Sequence, residues 1–215
     1  VEASNVVHFT EQFRLAPVIT ALASNLFYAN RMICRTASPV DLTCSVVLVA
    51  VHRSSPPCDA YGSAREADIV AAIWHELRMR SAHSGVLSMY NAQLALLRQR
   101  GIGADTVDGY QGAEKRQIII TAGRESSTLG FLKDARRWNV ALTRAKDLDI
   151  VVLHQSITGL QDTDGKYVSC PGAENAAVWA FVTWCYRVGV VVHAPAPRLP
   201  EQLHRKSSGR STTRT

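Results

Sequence analysis

The sequence predicts an α/β fold in which a mainly parallel sheet is covered by helices on both faces. Short, continuous apolar runs rich in Val and Ile recur along the chain, which is typical of strands buried on both faces of a sheet. Amphipathic helical stripes lie between these runs. Strands that alternate with helices require crossover connections, and crossover connections produce parallel strands.

The predicted elements follow in this alternating order. Val46–Val51 is a continuous apolar run and predicts the first long strand. The next helix is indicated by three apolar residues spaced every four positions and by two more that widen the stripe: Ile69, Ile73, Leu77, Val70 and Trp74. Residues 92–97 continue the alternation as a helix, which Gly101 and Gly103 end because glycine readily adopts a left-handed conformation.

The second half of the chain repeats the pattern. Residues 118–120 and 150–153 predict two further buried strands. A last helix ends at Gly189 and carries an apolar stripe: Val178, Phe181, Val182 and Cys185. Residues 54–63 and 155–172 are predicted surface loops. The Asp-x-Asp-Gly sequence in the second loop predicts a polar turn rather than a calcium site, because the remaining EF-hand ligands are missing.

Length and composition favour one domain without a membrane span. The chain has 215 residues with 47% apolar content, enough for one good core. Its five cysteines are an odd number without C-x-x-C spacing, which argues against a disulfide framework and a zinc site. No apolar run reaches the roughly 20 residues of a transmembrane helix. We expect an intracellular location, cytoplasmic or nuclear.

The positive charge is concentrated at the end of the sequence. The formal net charge is +6, and residues 196–215 contribute +4 of it, five basic residues against one acidic residue. The rest of the chain is nearly balanced, so net charge alone does not establish nucleic-acid binding. We predict a folded domain over residues 1–195 and a basic, disordered tail over residues 196–215, whose Pro, Ser and Thr content suits a solvated end.

Residues 106–146 contain groups suited to sensing a phosphate chain. Glu114 is an acceptor, Gly112 gives a flexible backbone, and arginines follow on what reads as a basic helix ending in Thr-Arg-Ala-Lys. Guanidinium groups match phosphate oxygens and stay charged at any working pH. Arg144 would project from this helix while its other face packs. An ordinary solvated, Arg-rich surface helix is the alternative.

Five sequence blocks resemble one known family. TVDGYQGAEKRQIII and GFLKDARRWNVALTRAK are similar to motifs V and VI of the Upf-like group of superfamily 1 helicases. EQFRLAP resembles the family's Gln-Tyr-Arg-Met-His-Pro motif, and VLSMYNAQLALLRQR its Thr-Pro-Tyr-x-Ala-Gln block. VWAFVTWCYRVGVVVHAP is similar to its closing helix and strand. The likeness covers about residues 9–195 and implies the second, C-terminal RecA-like domain, with a P-loop NTPase-type fold.

The resemblance implies roles at an ATP site between two RecA-like domains. Arg144 would be the arginine finger that stabilises charge on the transferring phosphoryl group, and Arg14 a second contact to the γ-phosphate. Phe13 would stack on the base, and Glu114 would accept hydrogen bonds from the ribose. Gln12 and Gly112 would complete the nucleotide-binding residues.

For nucleic acid, the resemblance implies that small hydroxyls and backbone amides hold phosphates of a single strand of RNA or DNA. Ser88 and Thr106 would be those contacts, and Gln111, with Gly112, would couple them to the nucleotide. The alternative for both hydroxyls is an ordinary strand-end or capping role. Asp108 is either a carboxylate partner within its motif or a turn residue.

The chain lacks the other half of such a site. No G-x-x-x-x-G-K-[ST] occurs, and no strand ends in paired acids for Mg²⁺. We therefore expect the phosphate loop and the Mg²⁺ ligands in the first RecA-like domain, upstream of residue 1, and no metal site or ATP hydrolysis in this chain alone. The resemblance implies 5′ to 3′ translocation. The alternatives are a non-catalytic nucleic-acid-binding scaffold that keeps the helicase shape and, less favoured, an unrelated doubly wound enzyme.

Overall fold

A computed structural model describes residues 10–36, 45–51, 62–80, 82–124, 129–158, 160–161, 167–168 and 177–194. The first half contains β1 (Glu11–Gln12), α1 (Pro17–Phe27), β2 (Ile33–Cys34), β3 (Val46–Val51), α2 (Ala64–Arg80), β4 (Ser84–Ser88), α3 (Asn91–Arg98) and β5 (Asp105–Thr106). The second contains β6 (Lys115–Thr121), a 3₁₀ helix (Gly130–Lys133), α4 (Ala135–Leu142), β7 (Ala145–His154), α5 (Gln155–Thr158), β8 (Leu160–Gln161), β9 (Tyr167–Val168), α6 (Ala177–Val188) and β10 (Val190–Ala194).

A six-stranded parallel sheet organises the molecule, with the strand order β10-β3-β7-β6-β4-β5. β7 lies near its centre and pairs with β3 on one side and β6 on the other. The sheet therefore has helical crossovers, as the alternating pattern predicts. Two small two-stranded pairs lie apart from it, the parallel pair β1-β2 and the antiparallel pair β8-β9.

Helices cover both faces of this sheet. One apolar core cluster packs α1, α4 and α6 against one face and includes Ile19, Trp138 and Phe181. The other packs α2 and α3 against the opposite face and includes Val70 and Leu97. Successive residues of β7 alternate between the two clusters, because side chains of a strand point to opposite faces in turn. The predicted α/β class with both faces covered is confirmed.

Most predicted elements are present, and one predicted loop is partly wrong. The strands at Val46–Val51, 118–120 and 150–153 are all observed, and α6 is followed by Gly189. Gly101 follows α3 with a φ of 72°, the left-handed conformation expected of a helix end. The region predicted as a loop from residue 155 instead begins with α5, where Ile157 is 1% exposed and joins the core. Residues 54–61, 162–166 and the predicted tail at 196–215 lie outside the described residues.

Candidate functional site

The side chain of Gln12 holds the loop that carries Arg14. Its Oε1 accepts the backbone N–H of Arg14 at 2.8 Å and that of Leu15 at 2.7 Å. Its Nε2 donates to the Leu15 carbonyl at 3.0 Å and to Thr20 Oγ1 at 2.5 Å. Both ends of the amide are used within the chain, so Gln12 positions the Arg14 loop. Its predicted contact with a nucleotide stays a prediction.

Arg14 joins two distant parts of the sequence. Its Nη2 donates to the Thr143 carbonyl at 2.8 Å, and its Nη1 lies 3.3 Å from Glu114 Oε2. Lys146 Nζ contacts the other oxygen of the same carboxylate. Glu114 immediately precedes β6 and Lys146 lies in β7, so the neighbouring amino ends of these two strands bring the three side chains together.

Arg144 lies in a turn, which corrects the expected helix through Thr-Arg-Ala-Lys. α4 ends at Leu142, because the Thr143 hydroxyl bonds back to the Asn139 carbonyl at 2.7 Å and Ala145 already pairs with the sheet. The Arg144 guanidinium stays beside the helix end: Nε donates to the Val140 carbonyl at 3.0 Å and Nη1 to the Ala113 carbonyl at 3.4 Å. Arg144 therefore lies near Glu114, but its backbone is in a turn and not in the expected helix.

Three cations face a single carboxylate in this cluster, which we call the arginine cluster: Arg14, Glu114, Arg144 and Lys146. The pKa of Glu114 is lowered, first by its hydrogen bond to Lys146 and also by Arg14. The pKa of Arg144 is lowered, first by burial and then by the positive charge of Arg14. Two guanidinium groups held this close repel one another, and the surplus of two positive charges suits an anionic ligand.

The remaining residues predicted at the nucleotide lie around this cluster. Phe13 is 72% exposed on the Arg14 loop. Gly112 has a φ of 88°, a conformation that side chains disfavour, and it immediately precedes Ala113, whose carbonyl holds Arg144. A cleft of about 360 Å³ opens beside Arg14, Val140 and Arg144.

The region predicted to contact nucleic acid lies at the opposite ends of the parallel strands from the arginine cluster. A groove of about 520 Å³, which we call the β4–β5 groove, lies at the carboxyl ends of those two strands and is lined by Met89, Asn91, Thr106, Asp108, Phe131 and Arg137, among others. Open α/β sheets commonly place their sites at the carboxyl ends of strands. The arginine cluster instead lies at amino ends, because Glu114 and Arg144 precede their strands.

Of the two predicted hydroxyls, the structure brings only Thr106 to the groove. Thr106 is half-buried, lines the groove and accepts the Gly109 N–H at 3.0 Å. Ser88 is fully buried, and its hydroxyl donates to the Tyr90 carbonyl at 3.0 Å and accepts the Tyr90 N–H at 3.1 Å. This placement is a correction: the Ser88 side chain has no surface for a phosphate and has the strand-end role that was its alternative. Gln111 is exposed, and its N–H donates to the Asp108 carbonyl.

Asp108 is a carboxylate partner rather than only a turn residue. It pairs with Arg137 of α4, Oδ2 to Nη2, at 2.5 Å. α4 therefore begins beside the β4–β5 groove and ends beside the arginine cluster. The loop of residues 107–114 also runs between the two places. Both sites are thus joined by two continuous segments of chain.

Sequence reasoning missed two charged residues of these sites. Lys146 pairs with Glu114, and it lies in the same Thr-Arg-Ala-Lys motif as Arg144, two residues further on. Arg137 pairs with Asp108 across 29 residues, and no local spacing indicates that contact.

In the part of the chain that the structure describes, no group of three His, Cys, Asp or Glu could hold a metal ion. Within the same residues, none of the helices has the length and apolar character needed to cross a membrane.

Comparison with known proteins identifies a matching family. The AAA_12 family model, described as an AAA domain, matches residues 1–156. This chain is 34% identical over 113 residues to a protein named as an ATP-dependent helicase in Methanocaldococcus jannaschii, covering 50% of this chain and 17% of that protein. It is 41% identical over 85 residues to helicase SEN1 of Saccharomyces cerevisiae, covering 33% and 4%.

A longer but weaker likeness is to the DNA replication ATP-dependent helicase/nuclease JHS1 of Arabidopsis thaliana. It is 29% identical over 179 residues, covering 66% of this chain and 13% of that protein. The chain thus spans at most 17% of the length of these three relatives. A solved C-terminal domain of a possible DNA helicase from Lactobacillus plantarum aligns at a TM-score of 0.45 and 12% identity, covering 85% of this chain and 98% of that one. That structural likeness is weak, and the α/β class stands on the observed sheet itself.

Proposed function

Because this chain belongs to the AAA_12 family of AAA domains, we propose that it is the second, C-terminal RecA-like domain of an ATP-dependent, Upf-like superfamily 1 helicase. The full protein would use ATP and Mg²⁺ to move along single-stranded RNA or DNA, 5′ to 3′. The folded domain would extend over residues 1–195, followed by the basic tail at 196–215. Several curated relatives carry the name helicase, which supports this class.

The arginine cluster is the observation that carries the proposal. Arg14, Glu114 and Arg144 come from three separate motifs, and the fold gathers them on one surface with Lys146. Arg14 and Arg144 are near enough for the positive charge of Arg14 to lower the pKa of Arg144. A polyphosphate would neutralise the surplus charge and accept the fork of donors that each guanidinium presents.

Each residue takes a defined role in this proposal. Arg144 stabilises the charge that develops on the transferring phosphoryl group, and Arg14 contacts the γ-phosphate. Among the described residues the side-chain hydrogen bonds of Arg144 use Nε and Nη1, which leaves Nη2 for such a contact. Glu114 accepts the ribose hydroxyls, for which a carboxylate holding two cations still has lone pairs. Phe13 stacks on the base, Gln12 positions the Arg14 loop, and Gly112 lets the backbone approach.

The β4–β5 groove would hold the single strand. Thr106 would contact a phosphate, Gln111 would lie on the path between strand and nucleotide, and Ser88 would shape the turn after β4 without touching the strand. α4 has eight residues and so spans about 12 Å from the groove to the arginine cluster. A rigid helix of that length can transmit closure at the nucleotide to the grip on the strand.

The phosphate-binding loop and the Mg²⁺ ligands would belong to the first RecA-like domain of the same polypeptide. In this proposal the chain by itself does not hydrolyse ATP. The competing possibility, a non-catalytic scaffold with a helicase shape, does not explain why charges suited to phosphate are gathered at the arginine cluster.

A direct experiment compares the full-length protein with the isolated chain. ATP turnover is measured for both, with and without single-stranded RNA and DNA, and unwinding is measured with duplexes carrying a 5′ or a 3′ overhang. We expect strand-stimulated turnover and unwinding from the 5′ overhang by the full-length protein, and no turnover by the chain alone. A full-length protein that binds strands but never turns over ATP would support the scaffold instead.

A further inference from the structure

An exposed aromatic ring lies in the β4–β5 groove, and the proposed function gives it no role. Phe131, in the 3₁₀ helix, is 52% exposed. A single exposed apolar side chain is common on protein surfaces and needs no explanation by itself. What distinguishes Phe131 is that its neighbours hold it in place and that it lines a groove of about 520 Å³, within the range of about 300–1,000 Å³ typical of ligand pockets.

Tyr90 fixes the position of Phe131. The Tyr90 hydroxyl accepts the backbone N–H of Phe131 at 2.9 Å and donates to the Leu129 carbonyl at 3.1 Å. The two rings lie 5.5 Å apart, centroid to centroid, at an angle of 31°. Tyr90 itself is only 6% exposed, so the support is part of the core. A ring held this way loses little freedom when it binds a ligand.

Two guanidinium groups extend the rings into a column of flat groups. The central carbon of Arg137 lies 4.2 Å from the Phe131 ring centroid, and that of Arg124 lies 5.7 Å from the Tyr90 ring centroid. Asp108 anchors Arg137 by an ion pair. The outer part of this column, Phe131 with the Arg137 guanidinium over its ring, therefore presents a flat surface to the groove, and the charge of Arg137 is paired with Asp108. We call these two residues the Phe131 platform.

We propose that the Phe131 platform stacks a base of the single strand, an inference that rests on the proposed function. Bases stack on aromatic rings and on Arg planes without regard to sequence, as a motor that passes along any strand requires. Thr106 lines the same groove, so a phosphate held there and a base on Phe131 can belong to neighbouring nucleotides. Lys133 and Arg136 are exposed in the same stretch of chain as Arg137, and their charges suit a polyanion.

The test uses the full-length protein without nucleotide and measures the Kd for two single strands of equal length, one of thymidines and one abasic throughout. Both strands carry the same phosphates, so they differ only in the contacts that bases make, and the Phe131 variants isolate the contribution of stacking. Stacking of one base contributes about 1–3 kcal/mol by alanine substitution, and 1.4 kcal/mol is tenfold in Kd. We expect Phe131→Ala to weaken binding of the thymidine strand about tenfold and to leave binding of the abasic strand unchanged.

Three further variants serve as controls. Phe131→Leu keeps an apolar side chain but no flat face and should behave like Phe131→Ala. Phe131→Trp keeps the flat face and should bind the thymidine strand as wild type does, which a misfolded protein could not. Met79→Ala removes another exposed apolar side chain, 86% exposed on α2, and should change neither Kd.

Two outcomes overturn the platform and are distinguishable from failure of the proposed function. If Phe131→Ala binds the thymidine strand like wild type, or loses affinity equally for both strands, the platform does not stack a base while strand binding stands. If the wild-type protein binds neither strand, the result contradicts both the proposed function and the role of the Phe131 platform.

Discussion

Arg14 Nη1 and Glu114 Oε2 lie 3.3 Å apart although 100 residues separate them in the sequence. The Arg14 guanidinium also donates, through Nη2, to the Thr143 carbonyl, next to Arg144. One ion pair and one hydrogen bond of Arg14 therefore join the three motifs that the proposed ATP site needs. Both side chains are more than a third exposed, so we expect the pair to matter for ligand binding more than for the stability of the fold.

Replacing Glu114 by Gln should weaken nucleotide binding. The carboxylate loses its charge, and with it the charge-assisted bonds to Lys146, Arg14 and the proposed ribose hydroxyls. We expect the KM for ATP of the full-length protein to rise about fivefold, with a smaller change in kcat, because a charged hydrogen bond contributes about 1.5–3 kcal/mol and the amide keeps part of it. Glu76→Gln, on the exposed face of α2, is the control and should keep the wild-type KM. An unchanged KM for Glu114→Gln would remove Glu114 from the site.

Asp149 should make the protein less stable as the pH rises. Its carboxyl lies fully buried in β7, neither oxygen has a hydrogen-bond partner among the residues that the structure describes, and burial raises its pKa well above the ordinary value. Between the unfolded pKa, about 4, and the raised folded pKa, the folded state binds more protons than the unfolded state. The free energy of unfolding then falls by about 1.4 kcal/mol for each pH unit from this group.

Asp149→Asn removes that penalty, so urea unfolding at pH 4 to 7 should show a gain in stability over wild type that grows with pH. Asp147→Asn is the matched control, because that carboxylate is paired with Arg116 at 2.5 Å. We expect this control to show no stabilisation that grows with pH. A constant difference between Asp149→Asn and wild type across the pH range would contradict the assignment of a buried, protonated carboxyl.

Gly85 allows Tyr110 to pack against β4. A Cβ on Gly85 would meet the Tyr110 hydroxyl oxygen at 2.7 Å and Ile118 Cδ1 at 2.9 Å. Overpacking of this kind costs about 1–3 kcal/mol. We expect Gly85→Ala to lower the free energy of unfolding by that amount, and Gly103→Ala, whose Cβ would meet nothing within 4 Å, to lower it much less. Equal effects in urea unfolding would show that Tyr110 moves without cost.

The sequence was sufficient for the sheet because buried parallel strands leave a strong local signal. Val46–Val51 is apolar at every position, and five of its six residues are buried. The motifs likewise placed Arg14, Glu114 and Arg144 together. Contacts that depend on tertiary packing left no such signal: the pair Asp108–Arg137, the column on Tyr90, and the end of α4 at Leu142. Ser88 shows the same limit, since a hydroxyl at a strand end is equally compatible with a buried turn.

The most direct measurement of the central claim is ATP turnover by the full-length protein carrying Arg144→Ala. Loss of an arginine finger should lower kcat on the order of 10³-fold, and Arg144→Lys should not restore it, because an ammonium lacks the planar fork of donors. Arg116→Ala, an exposed arginine of β6 outside the cluster, should keep wild-type turnover, and strand binding without nucleotide should be normal in all three variants. Near-normal turnover by Arg144→Ala would contradict the account that this chain supplies half of an ATP site.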